Sequence, residues 1–554
     1  MLAVLIIFLN TVVLVKGADN NIFGIHLAQP HFEDIEAAAR LVNSNGGRWG
    51  YVTLIIQEND KGLNKWQGVF DKLRELKLIP IIRLATQPQG ENWRRPDVQD
   101  VNEWVVFLNS LNWVVKDRYI ILFNEPNHNN EWGGEVDEKS YTEIAYTFAK
   151  TLKEKNQDFF VMLAGFDASA PSSPPRYEDE EKFLRKIIEY RPDIFNFLDG
   201  WVSHSYPNPG FSGSPYDFGR RTVRTYDWEL ELLRSLGVNK ELPVFITETG
   251  WQRSPFLTEE KIADYLRYTF ENVWLKDWRI KAVTPFILNY QSEPFLGFSW
   301  KKYQENNFYS YYHRVQSLAK KSGGPEIINK GKIVFDLPKE LIAQSLYNFK
   351  VSLKNQGQAI WDKADGYQLR IIAVDDNEEL PIEVLFNDLK NIKPFEERTI
   401  EFSLKTINKQ ETSNFKFILE KDNEKILESD IWSFHILPLP SLKISLSFWP
   451  GVKAKSDDFE LQIFDIDEKL VFKKKSIKVK NGLGNINEIQ NISLGELYRV
   501  VILKPGFLPR QKYFVFKTKD NQVEFKKLLP FDTNKDGKFS LKDLLFFYRV
   551  FRLF

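Results

Sequence analysis

Short, nearly continuous apolar runs alternate with amphipathic stretches eight times between Asn21 and about Gly323. The runs are Ile22–Leu27, Gly50–Ile56, Ile79–Ala85, Tyr119–Phe123, Phe159–Gly165, Gly200–Ser205, Val244–Thr247 and Ala282–Leu288. Strands buried on both faces read this way, so the pattern predicts parallel strands covered by helices. The stretches between them carry apolar residues at helical spacing. Trp66, Val69, Phe70, Leu73 and Leu76 form one stripe, and Tyr141, Ile144, Ala145, Phe148 and Leu152 form another. Asn45-Gly46-Gly47 closes the first helix and Arg191-Pro192 the fifth. Eight such units predict a (β/α)8 barrel over residues 19–323 rather than a doubly wound sheet.

After Gly323-Gly324-Pro325 the period changes from helical to two. Tyr347–Leu353, Thr399–Leu404 and Asn414–Leu419 alternate with no long helix between them, which predicts an antiparallel β-sandwich over 324–437. Leu437-Pro-Leu-Pro440 reads as a linker. A second β-sandwich is expected over 441–530, with a hairpin of Phe459–Phe464 and Leu470–Lys474 and a strand at Tyr498–Leu503. Both β-modules read as spacers, with sugar binding by either left open.

Composition narrows the class. Acidic and basic residues balance at 75 each, so no net field favours nucleic acid or an anionic membrane. The run Leu2–Val15 followed by Lys16-Gly17-Ala18 reads as a signal peptide over residues 1–18, shorter than the roughly 20 residues a span needs. The expectation is a secreted protein, free or held at the cell surface, with no membrane span once the signal is cleaved. With no Cys in the chain there is neither a disulfide nor a thiolate site.

Two motifs carry the chemistry. Phe-Asn-Glu-Pro-Asn (Phe123–Asn127) and Thr-Glu-Thr-Gly-Trp (Thr247–Trp251) each end an apolar run, the fourth and the seventh. In a parallel barrel this sets Glu125 and Glu248 facing each other across the C-terminal mouth. Cleavage of a glycosidic bond needs one acid and one nucleophile in that arrangement. On Asn124-Glu125-Pro126 and Glu248-Thr-Gly-Trp251 the barrel, a little over half the chain, resembles the retaining enzymes of glycoside hydrolase clan A. The resemblance implies Glu125 as acid/base, Glu248 as nucleophile and Asn124 as a ligand of the sugar 2-hydroxyl. It also implies a site member near Ser203–Pro207, for which His204 and Tyr206 are the candidates, and a β-linked oligo- or polysaccharide as substrate.

Other residues fall where they would reach such a site. His26 ends the first strand, Arg83 lies on the third, and Asn289 and Tyr290 follow the eighth. Trp251 and Trp300 are expected as flat platforms for the apolar face of a sugar. The segments 127–137 and 208–219 are expected to wall the cleft. No cofactor is expected for catalysis, since the six His show no H-E-x-x-H or similar pairing. Two alternatives stay open on these residues: a non-catalytic carbohydrate-binding or adhesion domain, and a transglycosylase using the same covalent intermediate.

The tail holds a twelve-residue oxygen-rich loop, Asp532 to Asp543. Asp532, Asn534, Asp536, the Lys538 carbonyl, Ser540 and Asp543 are the candidate Ca²⁺ ligands, with Gly537 at the sharp turn. The loop and the apolar helix expected at Leu541–Val550 resemble a single dockerin repeat over 531–554, and that resemblance implies a protein contact through the tail. Asn355–Trp361 resembles the N-x-G-x-x-x-W stretch of a family of immunoglobulin-like modules.

Overall fold

The computed structural model describes residues 20–374, 381–407 and 412–545. The expected signal peptide lies outside the described residues, as does the end of the expected last helix. The chain divides into two compact units, Met1–Ile328 and Asn329–Phe554.

The first unit alternates strands and helices. Its main strands are β1 (Gly24–His26), β2 (Gly50–Gln57), β3 (Leu78–Ala85), β4 (Arg118–Leu122), β5 (Phe159–Leu163), β6 (Trp201–His204), β7 (Val244–Glu248) and β8 (Ile280–Val283). β1 to β5 pair in parallel in chain order, and so do β6 to β8. Parallel bridges Asp167–His204 and Phe23–Val283 join the remaining edges, so the strands run in a ring. Inside it, near the strand starts, the rings of Tyr119, Phe160 and Phe245 pack with centroids 5.0–5.5 Å apart, with Tyr51 against Tyr119 at 6.1 Å. The aromatics fill that end, as side chains fill any small barrel.

The helices cover the outside with the stripes their spacing predicts. In α4 (Glu138–Lys155), Tyr141, Ile144, Ala145, Phe148 and Leu152 are all buried, and the Asp137 carboxylate accepts from the Ser140 N–H to cap the first turn. β8 ends earlier than its apolar run, because Pro285 cannot donate to a ladder. Past it, Phe286 N–H donates to Thr249 O and Leu288 N–H to His26 O, so the backbone still bridges its neighbours.

The second unit is built of β-sheets. Gly331–Phe335, Leu346–Asn355, Glu397–Thr406 and Ile382–Phe386 form an antiparallel sheet. A five-stranded sheet contains Tyr367–Ala373, Thr412–Lys421 and Trp432–Leu437. It departs from the all-antiparallel expectation at one edge, where Glu340–Ile342 pairs in parallel with Trp432–Leu437. Asn355 fastens its loop by donating to Ala359 O and Ile392 O, and Trp361 is fully buried beside it. The remainder is the expected second β-module. It is one continuous eight-stranded sheet, whose apolar residues, among them Ile444, Leu461, Ile463, Val500 and Val523, gather into a single core. Period two marks its apolar face, but not how many hydrogen-bonded strands follow one another in it. The hairpin Ser456–Phe464 with Leu470–Lys480 lies in it. Among the described residues no helix is long and apolar enough to cross a membrane.

Candidate active site

At the C-terminal ends of the first unit's strands lies a cavity of about 980 Å³, lined by Arg83, Asn124, Glu125, Tyr206, Glu248, Asn289 and Tyr290 among others. Two local departures from regular strand geometry aim its carboxylates. β7 carries one more residue than β6 between Ile246 and Glu248, and this irregularity pairs Glu248 with His204. Strict alternation would put Glu248 on the opposite face from Ile246's neighbour Thr247; the extra residue turns it into the mouth. After β4 the chain takes left-handed φ at Phe123 (73°) and Glu125 (29°), and the Glu125 N–H donates to Gly165 O at 3.0 Å. Such conformations cost about 1–3 kcal/mol each and persist where the surroundings hold them.

The side chains interlock. One oxygen of Glu125, one of Glu248 and one ring nitrogen of His204 all lie within 4.8 Å of one another. His204 Nδ1 and Glu125 Oε1 share a hydrogen bond at 2.8 Å. Arg83 Nη1 donates to Glu248 Oε1 at 3.3 Å and also to Asn124 Oδ1, while the Tyr206 hydroxyl donates to Glu248 Oε2 at 3.1 Å. His26 Nδ1 stands 3.9 Å from Glu248 Oε1.

Charges follow from these contacts. Burial pushes the Glu248 carboxyl up, but His204, Arg83 and the Tyr206 hydroxyl outweigh it and hold it below the usual carboxylate range. Burial likewise acts to lower His204, and the two glutamates reverse it, so the imidazole is raised. Burial and the neighbouring Glu248 raise Tyr206 well above an ordinary phenol, keeping its proton for donation. His26 is held neutral, lowered to about 4 chiefly by burial. The cluster is therefore a carboxylate kept ionised beside a second carboxyl that meets solvent. Glu125, His204 and Glu248 have the ligand types of a metal site, but the Arg83 guanidinium already places a positive charge on Glu248.

Of the residues expected from sequence, Asn124, Glu125, Arg83, Tyr206, Glu248, Asn289 and Tyr290 meet at the cavity, with His26 and His204 packed directly behind the carboxylates. Trp251 and Trp300 do not. Each is 3% exposed and off the cavity wall. The Trp251 indole N–H donates to Gly213 O at 2.8 Å with its ring against Tyr265, and Trp300 packs edge-on against Tyr311. Burying an indole removes more apolar surface from water than any other side chain here, and that outweighs display. The aromatic wall comes instead from Trp93, Phe211, Phe286, Phe295 and Phe298.

Sequence reasoning missed Glu131, Asp34 and the His128–Asp167 pair, all on the cavity. His128 Nε2 and Asp167 Oδ2 are 2.9 Å apart. Asn289 Nδ2 donates to both oxygens of Asp34, at 3.0 and 3.1 Å. The segment 127–137 does contribute wall, through His128 and Glu131, whereas its Trp132 is buried against Phe123 and Tyr141.

In the tail, Thr533 N–H donates to Asp543 Oδ1 at 3.0 Å and Ser540 N–H to Asp543 Oδ2 at 2.8 Å, while Gly537 takes φ 78°. Asp532 is 6% exposed, and its Oδ1 is buried with no hydrogen-bond partner. An orphaned carboxylate oxygen facing an all-oxygen loop suits a hard cation.

Neither a protein-family model nor a curated protein matches the sequence. Among solved structures the chain is similar to AbfB, a family 51 α-L-arabinofuranosidase from Bifidobacterium longum, at 11% identity and a TM-score of 0.35, over 73% of this chain and 97% of that one. It is similar to the β-glycosidase BGL167 at 14% identity and a TM-score of 0.34, over 52% and 85% of the two chains. A β-glucosidase from Exiguobacterium marinum matches at 13% identity and a TM-score of 0.31, over 48% and 82%. At such scores these likenesses carry no weight beside the geometry of the site.

Proposed function

We propose that the protein is a retaining glycoside hydrolase of the clan A (β/α)8-barrel type, cleaving β-linked oligo- or polysaccharides by double displacement. The observation that carries this is the pair Glu125–Glu248, with oxygens inside 4.8 Å, one of them held ionised by Arg83 and Tyr206. Retaining enzymes keep their carboxyls about 5–5.5 Å apart, whereas inverting enzymes leave about 6.5–9.5 Å for a water.

In the first step Glu248 attacks the anomeric carbon as Glu125 gives its proton to the glycosidic oxygen, and the aglycone leaves as an alcohol. Glu248 is then an ester of the sugar. In the second step Glu125, now a carboxylate, takes a proton from water as that oxygen attacks the same carbon, and Glu248 departs ionised. His204 holds Glu125 in place through both steps, and Asn124, oriented by Arg83, is the ligand for the sugar hydroxyl beside the reacting carbon. The test is reducing-sugar release from β-glucan, xylan, mannan and galactan by the intact protein. Release from at least one supports the enzyme, and glycan binding with no release would make it a binding protein.

Gly165 is part of this machinery, because a methyl group there would overlap the His204 ring. Gly165→Ala is expected to displace His204 and with it Glu125, lowering kcat roughly 100-fold. Steady-state kinetics on the folded variant check this, and unchanged kcat would show that His204 does not position the acid.

We further propose that the protein is exported behind a cleaved leader, that the β-modules act as spacers, and that the tail loop binds Ca²⁺ in the manner of a dockerin repeat and makes a protein contact. Asp532, Asn534, Asp536, the Lys538 carbonyl, Ser540 and Asp543 would hold the ion. Calcium at 100 times its Kd should stabilise the folded tail by about 2.7 kcal/mol. Calorimetry with and without chelator reads this, and an Asp532→Ala variant should lose the difference.

A further inference from the structure

Six carboxylates line the cavity: Asp34, Asp60, Glu125, Glu131, Asp167 and Glu248. Among the described residues, Arg83 is the only Lys or Arg on its wall, and its guanidinium is already committed to Glu248 and Asn124. The two-carboxylate chemistry accounts for Glu125 and Glu248. Asp60 is paired with Lys65 and Asp167 with His128. Asp34 and Glu131 remain: the Asn289 amide donates to Asp34, and Glu131 shares the cavity wall with Asn124. The cavity thus holds carboxyl groups beyond those hydrolysis uses, and among the described residues its wall offers no uncommitted Lys or Arg to receive an anion.

We propose that Glu131 is a specificity-determining residue, which with Asp34 confines the cavity to glycans bearing no carboxylate or sulfate near the bond cleaved. This rests on the glycosidase activity proposed above. Glu131 is well placed for it. It ends the short helical turn Asn129–Glu131 and lies on the cavity wall beside Asn124, next to the acid/base Glu125. An anionic sugar seated there would meet a like charge in a partly dehydrated site, where opposing charges a few ångströms apart weigh far more than in water.

The groups facing Glu131 are Arg83, Glu125, Glu248 and, from the same segment, His128. Burial raises its carboxyl to about 7, with Glu125 and Glu248 adding to the effect and Arg83 opposing it. Glu131 is therefore neutral in mild acid and charged above neutrality, while a uronate stays ionised throughout, its pKa near that of an ordinary carboxylate. Discrimination against anionic sugars should grow as pH rises, and any effect on neutral substrates cancels in the ratio.

The experiment compares β-glucan, galactan and mannan with the same glycans oxidised at C6 to uronates, at pH 6 and pH 8, using the intact protein, Glu131→Gln and Asp34→Asn. Neutral parents should exceed their uronates in kcat/KM by roughly 100-fold at pH 8, and the ratio should shrink about tenfold at pH 6. Glu131→Gln, which keeps an oxygen for the Asn124 amide, should lower the ratio about tenfold at pH 8 and flatten its dependence on pH. Uronates cleaved as fast as their parents, or a ratio and slope unchanged in Glu131→Gln, would overturn the proposal. Failure to cleave any of these glycans would count against the enzymatic activity instead. Binding of the same pairs by affinity electrophoresis then decides the selectivity, and equal or absent binding of neutral and oxidised forms refutes it.

Discussion

Replacing Glu248 with Gln is expected to abolish sugar release from any glycan the protein cleaves, with kcat falling by roughly 10⁴-fold or more. The amide keeps the shape of the side chain, but its single oxygen can accept from only one of Arg83 and Tyr206, the two donors that meet the two carboxylate oxygens at 3.3 and 3.1 Å. It lacks the negative charge and the lone pair that attack the anomeric carbon. Because Glu248 is buried among His204, Arg83 and His26, the loss of its charge leaves those groups with less to balance, so a change in stability is expected as well. Kinetics on protein with an intact circular dichroism spectrum separates the two effects. Activity within tenfold of the parent would mean that another group is the nucleophile.

The second large effect is expected at Glu125, and its signature lies in the leaving group rather than in the overall loss. Glu125→Ala removes the proton donor, which should slow cleavage of a natural glycan roughly 10²–10⁴-fold. An aryl glycoside whose phenol leaves readily as an anion needs no proton in the first step. With it, formation of the glycosyl-enzyme should be nearly unimpaired, and the second step, which needs Glu125 as base, becomes limiting. A burst of phenol followed by a slow phase is the expected trace. Equal loss on both substrates would show that Glu125 acts on geometry alone, through the His204 contact at 2.8 Å.

The ring of strands was legible because burial on both faces leaves a plain mark, and each of the eight apolar runs overlaps a strand of the first unit, the eighth only at Ala282–Val283. The two glutamates were legible because each follows such a run. What escaped depends on contacts that no local pattern encodes. Glu131 looks like any polar residue in a loop until the turn Asn129–Glu131 carries it beside Asn124. Asp34 looks like a helix-favouring acid in a first turn, and only the distant Asn289 shows that it faces the cavity. Trp251 and Trp300 illustrate the opposite error. Their positions after the strands suggested display, but the loops fold back and bury them. In the second unit, period two identified strands and their inward faces, yet it could not reveal the parallel edge at Glu340–Ile342 or the continuity of the eight-stranded sheet.

The roles of the two glutamates are tested most directly by azide rescue on an activated aryl β-glycoside, with the product's anomeric configuration read by NMR. In Glu248→Gly, azide should occupy the space of the missing carboxylate, attack from that face and give the α-glycosyl azide. In Glu125→Ala, azide should intercept the glycosyl-Glu248 ester from the other face and give the β-glycosyl azide. Opposite anomers from the two variants are the predicted result. The same anomer from both, or rescue of neither, would contradict a double displacement through Glu248.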